Sequence, residues 1–276
     1  MAAMKARAVD DETLAAWERI VPGTPAWKTS YPDHIQRYEF ALTYVPHGST
    51  VLDAGCGAGY GAAEVADARA ARVVAIDIAD DALALARQHF DRAAITWCRD
   101  DCHTLDEARA FAPFDMVINF ENIEHLHEPA RFVSRAADLL SPDGILLTST
   151  PNRLLLNRLR GAADDNASTN PYHLNEFSEA EFRALLEHSF GRVEIWYQCP
   201  AGATARRLRL RSGAARLRLL APLRAAGRLI RRLASLRRRG ARQPVGRVPA
   251  WRILDQDPGT AWTLIAVCRD PVRAAD

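Results

Sequence analysis

The sequence predicts an α/β fold, a doubly wound, seven-stranded and mostly parallel sheet with helices on both faces. Three observations carry this. Short apolar runs alternate with helical patterns, as expected of buried parallel strands joined by crossover helices. The first run, Thr50-Val51-Leu52-Asp53-Ala54, leads into the glycine-rich turn Gly55-Cys56-Gly57-Ala58-Gly59-Tyr60-Gly61, where a helix should begin. The second, Val73-Val74-Ala75-Ile76, ends in Asp77, 24 positions after Asp53.

Taken in order, residues 1–30 are polar, contain Pro22 and Pro25, and read as an irregular lead-in. From Tyr31 a helical pattern sets Ile35, Tyr38, Ala41 and Leu42 on one side. Spacing leaves two readings open: a lid laying Tyr31, His34 and Arg37 against a ligand, or a helix packed for stability. A helix from Tyr60 to about Asp67 follows the first strand. The second strand is Arg72–Ile76, followed by a helix at Asp81–Phe90. The third is Ile95–Cys98, and the fourth Phe114–Phe120. A helix from Glu128 to Leu140 precedes the turn Pro142-Asp143-Gly144 and a fifth strand, Ile145–Thr150. Ser178 and Glu181 form a capping box for a helix to about Ser189. Val193–Tyr197 and Thr263–Cys268 are the last two strands. About 65 residues separate them, too many for a structureless loop, so that stretch should hold helices of its own.

Gly57-Ala58-Gly59-Tyr60-Gly61-Ala62 satisfies the dinucleotide pattern G-x-G-x-x-G/A. Asp53, two positions before the first glycine, argues against a pyrophosphate, which its carboxylate repels. An ammonium or sulfonium would be attracted. Asp-x-Gly-x-Gly-x-Gly with a second-strand acid resembles the class I S-adenosylmethionine (SAM) dependent methyltransferases. The resemblance runs from Tyr31 to Tyr197 and over the last strand, making 31–276 one domain with a basic helical insert at 200–258. It implies the strand order 3-2-1-4-5-7-6. It also implies that Asp53, Gly55, Gly57 and Gly59 cradle the methionine part of SAM and Asp77 holds the ribose. By the same likeness Asp101 takes the adenine amine, with Asp100 a close competitor, and Asn119 lies beside the sulfonium. Three further stretches, His34–Ala41, Ser149–Arg153 and Asn170–Phe177, look like those of bacterial O-methyltransferases of surface-glycan and secondary-metabolite assembly.

Glu121, Glu124 and His125 follow the fourth strand, at the sheet end where open α/β folds place reacting groups. On one helical turn their spacing puts all three on one face. With His173 they resemble the metal site of small-RNA 2′-O-methyltransferases. The first three also match a motif of ubiquinone-pathway O-methyltransferases. Two carboxylates and two imidazoles suit Mg²⁺ or Mn²⁺. The metal-free reading makes His125 a lone catalytic base or a core contact, and Glu121 a helix-start acid.

The expected acceptor is a sugar, a lipid-linked glycan or a similar hydroxylated metabolite. RNA 2′-O-methylation and a non-catalytic SAM-binding scaffold at a membrane-bound assembly are the alternatives. Residues 206–242 hold 14 arginines and no acid, leaving the rest with a net charge of −12. On a helix from Leu223 to Arg239, Leu223, Leu229, Ile230, Leu233 and Leu236 fall on one side, with Arg224, Arg228, Arg231, Arg232, Arg238 and Arg239 mostly opposite. Such a basic amphipathic helix fits an anionic membrane surface, packing on the acidic domain, or nucleic acid. It contains no aromatic residue, which weakens the last reading. Cys56, Cys98, Cys102, Cys199 and Cys268 are odd in number and irregularly spaced, as expected of reduced thiols in a cytoplasmic protein. The expected location is therefore cytoplasmic, with room for peripheral contact at the inner membrane face. No apolar run is long enough for a signal peptide or a spanning helix.

Overall fold

A computed structural model describes residues 20–24, 27, 31–160, 170, 172–201, 251–256 and 259–272. The arginine-rich stretch 206–242 and most of the lead-in lie outside the described residues. Helix α1 (Tyr31–Ala41) precedes β1 (Thr50–Ala54), α2 (Tyr60–Ala68), β2 (Arg72–Asp77), α3 (Asp80–Phe90), β3 (Ile95–Arg99) and β4 (Phe114–Phe120). Then come α4 (Pro129–Leu139), β5 (Leu140–Pro151), α5 (Arg153–Arg160), α6 (Glu179–Glu187), β6 (Phe190–Pro200), β7 (Trp251–Leu254) and β8 (Thr263–Pro271).

The strands form one sheet in the order β3-β2-β1-β4-β5-β8-β6-β7. Strands β1 to β5 are parallel, while β8 pairs antiparallel with both β5 and β6. The expected count of seven is therefore corrected to eight. The added strand, β7, pairs antiparallel with β6 at the sheet edge and lies inside the stretch expected to be a helical insert. Its four residues are too few to show a period of two. Helix α5 is likewise absent from the sequence reading. The predicted turn at 142–144 is taken up inside β5, where the pairing with β4 shifts register between Phe114 and Met116.

Alternation along the strands sorts the core into two layers. Leu52, Val74, Val117 and Leu146 pack with Phe132, Val133 and Phe182 from α4 and α6. Val51, Val73, Met116, Ile118 and Leu147 pack with Tyr38, Ala62, Val65 and Leu83 from α1, α2 and α3. Each such valine, leucine, isoleucine, methionine or phenylalanine stabilises the fold by about 1.5–3 kcal/mol. Truncating the fully buried Phe132 should cost about 3–5 kcal/mol. By the same alternation Asp53 shares the face of Val51 and points toward α1. The capping box is formed: Ser178 Oγ accepts from the Glu181 N–H, and the Glu181 carboxylate accepts from the Ser178 N–H. No helix among the described residues is long and apolar enough to cross a membrane.

Candidate active site

The glycine turn is fixed from β2. Asp77 accepts the Gly57 N–H through Oδ2 and the Ala79 N–H through Oδ1, both at 2.9 Å. Gly55, Gly57 and Gly59 all have positive φ, from +53° to +88°, where a side chain is strained. Nothing lies within 4 Å of where a Cβ on Gly57 would stand, so its backbone is open to a ligand. A Cβ on Gly61 would overlap the Tyr38 ring. Helix α1 thus sits directly on the start of α2.

Tyr38 also reaches Asp53, donating its hydroxyl to Oδ1 at 3.0 Å. Asp53 is buried at the end of β1, and burial pushes its carboxyl up to about 7; the Tyr38 hydrogen bond opposes the rise and the Asp77 charge adds to it. His34 Nδ1 lies 3.0 Å from the Tyr60 hydroxyl, and burial, with Arg37 nearby, holds the imidazole well below its ordinary range.

Past β3, Asp100 is spent on backbone. It accepts the N–H groups of Asp101 and Ala108 at 2.8 and 2.9 Å. Asp101 is the more exposed, and its Oδ1 meets both the His103 N–H and His103 Nδ1. Burial raises its carboxyl, but those His103 contacts outweigh it and hold the group below the usual carboxylate range. Both acids line a shallow cavity with Ile78, Arg99, Asp106 and Glu107. Asn119, expected beside the sulfonium, has its side chain engaged within the sheet. It is fully buried, donates to the Ala54 carbonyl at 2.9 Å and accepts from Thr148. Its side chain ties β1, β4 and β5 together, and Phe120, next in the chain, lines the cavity that the glycine turn borders.

The catalytic candidates follow β4. Glu121 has a left-handed backbone, φ 50°, and accepts from Ser149 Oγ at 2.8 Å. Only Ile123–His125 is helical, as one 3-10 turn. The expected single helical face for Glu121, Glu124 and His125 is therefore not formed, because the chain reverses its φ at Glu121. Convergence comes from elsewhere. The segment before α6 folds back over the end of β4, where the Asn175 N–H donates to the Glu124 carbonyl at 3.0 Å and Asn175 Nδ2 to Leu126 at 2.7 Å. This brings His173 against His125, ring centroids 5.0 Å apart and edge to face. One ligand atom each from Glu124, His125 and His173 lies within 4.8 Å of the others. Glu121 lines the same cavity outside that trio.

Each imidazole is oriented. His125 Nδ1 faces the Tyr172 carbonyl at 2.9 Å, so it carries the proton, and Nε2 carries the lone pair in the neutral ring. His173 Nδ1 stands 3.3 Å from the Glu176 carboxylate. Glu124 is buried, and no hydrogen-bond donor meets its Oε2. Burial, then the Glu121 charge, raises its carboxyl well above the usual range.

A glycine turn pinned by a second-strand acid, on this sheet order, accords with one further result. Residues 28–191 match the family described as "Methyltransferase domain". The chain belongs to this methyltransferase family. A probable S-adenosylmethionine-dependent methyltransferase of Mycolicibacterium smegmatis is 36% identical over 64% of the chain and 65% of the relative. A ubiquinone biosynthesis O-methyltransferase of Dinoroseobacter shibae is 40% identical over 38% of the chain and 42% of the relative. The chain thus covers less than two thirds of either relative's length. Among solved structures, the N-methyltransferase NodS of Bradyrhizobium japonicum, in complex with S-adenosyl-L-homocysteine, superposes with a TM-score of 0.53. The match covers 70% of this chain and 92% of NodS at 17% identity, a likeness of fold.

Several residues in and around this candidate site carry little sequence signal. Glu176 orients His173, and its spacing of three from that histidine is the only signal for it. Ile20, from the lead-in, lines the cavity. Tyr38 was assigned a helix face but not its bond to Asp53. Gln198, fully buried on β6, donates to the Asp33 carbonyl at 2.8 Å and to Gln36 at 3.1 Å, clamping α1 to the sheet.

Proposed function

We propose that this methyltransferase-family chain transfers the methyl group of SAM to a hydroxyl oxygen of a small acceptor carrying neighbouring hydroxyls, such as a sugar, a glycan or a phenol. One observation carries the reading: the glycine turn and the Glu124, His125, His173 cluster line the same cavity. A donor held at Gly55, Gly57 and Gly59 and a hydroxyl held at the cluster share one chamber, which is what proximity catalysis needs. Asp53 takes the donor's ammonium, Asp77 the ribose hydroxyls and Asp101 the adenine amine. Likeness to ubiquinone-pathway O-methyltransferases supports oxygen as the nucleophile and adds phenols to the sugars expected from sequence.

The acceptor oxygen bonds to the methyl carbon as the C–S bond breaks, and S-adenosylhomocysteine leaves. The hydroxyl proton goes to Nε2 of His125, whose ring the Tyr172 carbonyl holds in place. Alternatively the cluster fits a divalent cation, in which case Nε2 of His125 is a ligand and does not take the proton. Glu124 offers a buried oxygen that no donor meets, and both histidines hold their Nδ1 against an oxygen acceptor, as metal-binding imidazoles do. Glu124, His125 and His173 would hold the ion, with Glu121 beside them; bound there, it would lower the pKa of a coordinated hydroxyl.

Labelled SAM incubated with extracted glycolipid, metabolite and RNA fractions tests the reading. Label should enter a hydroxylated small molecule or glycolipid and be insensitive to nuclease. Label in RNA would select the 2′-O-methylation alternative, and no turnover with any fraction the scaffold. A chain that binds NADH and not S-adenosylhomocysteine would overturn the reading.

A further inference from the structure

Asn122 stands where the glycine turn and the catalytic turn meet. Its backbone carbonyl accepts the His125 N–H at 3.0 Å and so closes the 3-10 turn Ile123–His125. Glu124 and His125 both ride on that turn. The side chain of Asn122 points to other loops. A Cβ built on Gly55 would lie 2.6 Å from Asn122 Cγ, 2.7 Å from Oδ1 and 2.9 Å from Nδ2. Such nearly equal distances mean that the carboxamide presents its face to the Gly55 α-carbon, and a glycine alone leaves room for it. Nδ2 also donates to Cys102 Sγ at 3.6 Å, and Cys102 follows Asp101 in the loop past β3. Asn122 lines neither of the two cavities described above. It touches the glycine turn and the Asp101 loop from behind, where it can act on a ligand only through them.

The contacts differ in stiffness. Sulfur is a weak acceptor, so the carboxamide is held mainly by packing against Gly55. Close-packed groups pass on a displacement, because no free space absorbs it. On the upstream side the chain is fixed: the Glu121 N–H is within reach of both the Ser149 carbonyl and Ser149 Oγ, at 3.2 and 3.1 Å, and Ser149 Oγ donates to the Glu121 carboxylate. A movement of Asn122 therefore runs forward into Ile123–His125 rather than back into β4. One residue thus has its carboxamide on the glycine turn and its carbonyl in the catalytic turn.

We propose that Asn122 is a positioning residue that couples the two sides of the chamber. A donor seated on the glycine turn settles Gly55 against the carboxamide, and the turn carrying Glu124 and His125 takes up its working position in response. This rests on the reading that the donor sits at Gly55, Gly57 and Gly59 and the acceptor at the cluster. The consequence is an order of events, in which the acceptor groups are set after SAM has bound. Placement matters at this scale, since an error of about 1 Å at reacting groups costs about 10²-fold in rate.

The test follows the backbone amide signal of His125, the proton that the Asn122 carbonyl accepts, while S-adenosylhomocysteine is added to the full chain. In the wild type the signal should move to a new limiting position as the site saturates. Asn122→Ala keeps the backbone carbonyl and loses the carboxamide. It should bind S-adenosylhomocysteine within about tenfold of wild type, yet its His125 amide should keep the ligand-free position. Asn122→Asp keeps the shape against Gly55 and should keep the response; loss of the response there overturns the packing route. A wild-type His125 amide that ignores the ligand overturns the proposal. So does an Asn122→Ala signal that moves as far as wild type, because the ligand would then reach His125 through space. On whichever acceptor fraction takes label, Asn122→Ala should lower kcat by about 10²-fold while KM for SAM changes by less than about tenfold; a raised KM with kcat intact also overturns the coupling. If Asn122→Ala does not fold, the wild-type and Asn122→Asp titrations decide. Calorimetry is a separate readout: no affinity for S-adenosylhomocysteine sinks the methyl-transfer reading, whereas bound S-adenosylhomocysteine with an unmoved His125 amide sinks only the coupling.

Discussion

Asp77 and Glu124 are acids at the same end of one sheet, and the fold treats them in opposite ways. Asp77 is engaged on both oxygens by backbone N–H groups, one of them in the glycine turn it stabilises. Glu124 is buried with Oε2 unmet, next to two imidazoles whose orientation other residues fix. Under the proposed function Asp77 belongs to the donor side of the chamber, already held by backbone, and Glu124 to the acceptor side, with an oxygen still open to a ligand. A preformed donor site suits a fold that binds one cosubstrate, and an unsatisfied acceptor site places selectivity in the groups left open.

The sharpest way to break this contrast is to disarm the acceptor side. Glu124→Ala and His173→Ala should each lower turnover by roughly 10²–10⁴-fold, the scale of lost acid–base or ligand chemistry, with S-adenosylhomocysteine binding nearly unchanged. Chelator should mimic them, and added Mg²⁺ or Mn²⁺ should restore the rate. If chelator does nothing and His125→Ala alone is severe, the cluster works as a base without metal. Glu176→Gln sharpens the same side more gently. It weakens the partner of His173 without removing the ring, and a loss of about 10–100-fold is expected. A Glu176→Gln enzyme as fast as wild type would mean that His173 needs no orienting partner.

The donor side should answer in affinity rather than rate. Under the proposed function Asp77→Ala would lose a ribose acceptor, and it also frees the Gly57 N–H that the carboxylate now holds. Calorimetry should show S-adenosylhomocysteine binding weakened by about 1–3 kcal/mol. Undiminished affinity would mean that the acid only shapes the turn.

The two sides were also unequally legible in the sequence. The donor side is built from local signals: an apolar run, glycines at forced φ, an acid at the next strand tip. The capping box at Ser178 is equally local, and all of these are in place. The acceptor side depends on distant partners. Asn175 meets Leu126 across 49 positions, and Tyr172 meets His125 across 47, separations that no periodicity encodes. The helical-face expectation for Glu121 failed because a positive φ at a non-glycine residue has no sequence signature. The partners of Asn119 were equally illegible, because alternation tells which face a residue takes, not whether its amide is already satisfied there. Strand β7 was missed because four residues cannot establish a period.

The smallest expected effect concerns how the donor side is tuned. The folded Asp53 carboxyl is raised from its ordinary 3.8 to about 7, by burial first and by Asp77 as well, with the Tyr38 hydroxyl pulling the other way. A raised acid favours the protonated fold, so its contribution to apo stability is full below the ordinary value and is lost as pH climbs through about 7. A bound ammonium reverses the preference, because it needs the carboxylate. Affinity for S-adenosylhomocysteine should therefore fall by up to about tenfold per pH unit below that value and level off above it. Asp33, raised to about 6 by burial, titrates in the same window, so the wild-type profile alone does not identify the group. Asp53→Asn should flatten the component that belongs to Asp53. Tyr38→Phe should keep the slope and move its break upward, since it deletes the hydrogen bond that favours the anion. A break that stays in place in Tyr38→Phe would mean that helix α1 covers the donor pocket without tuning it.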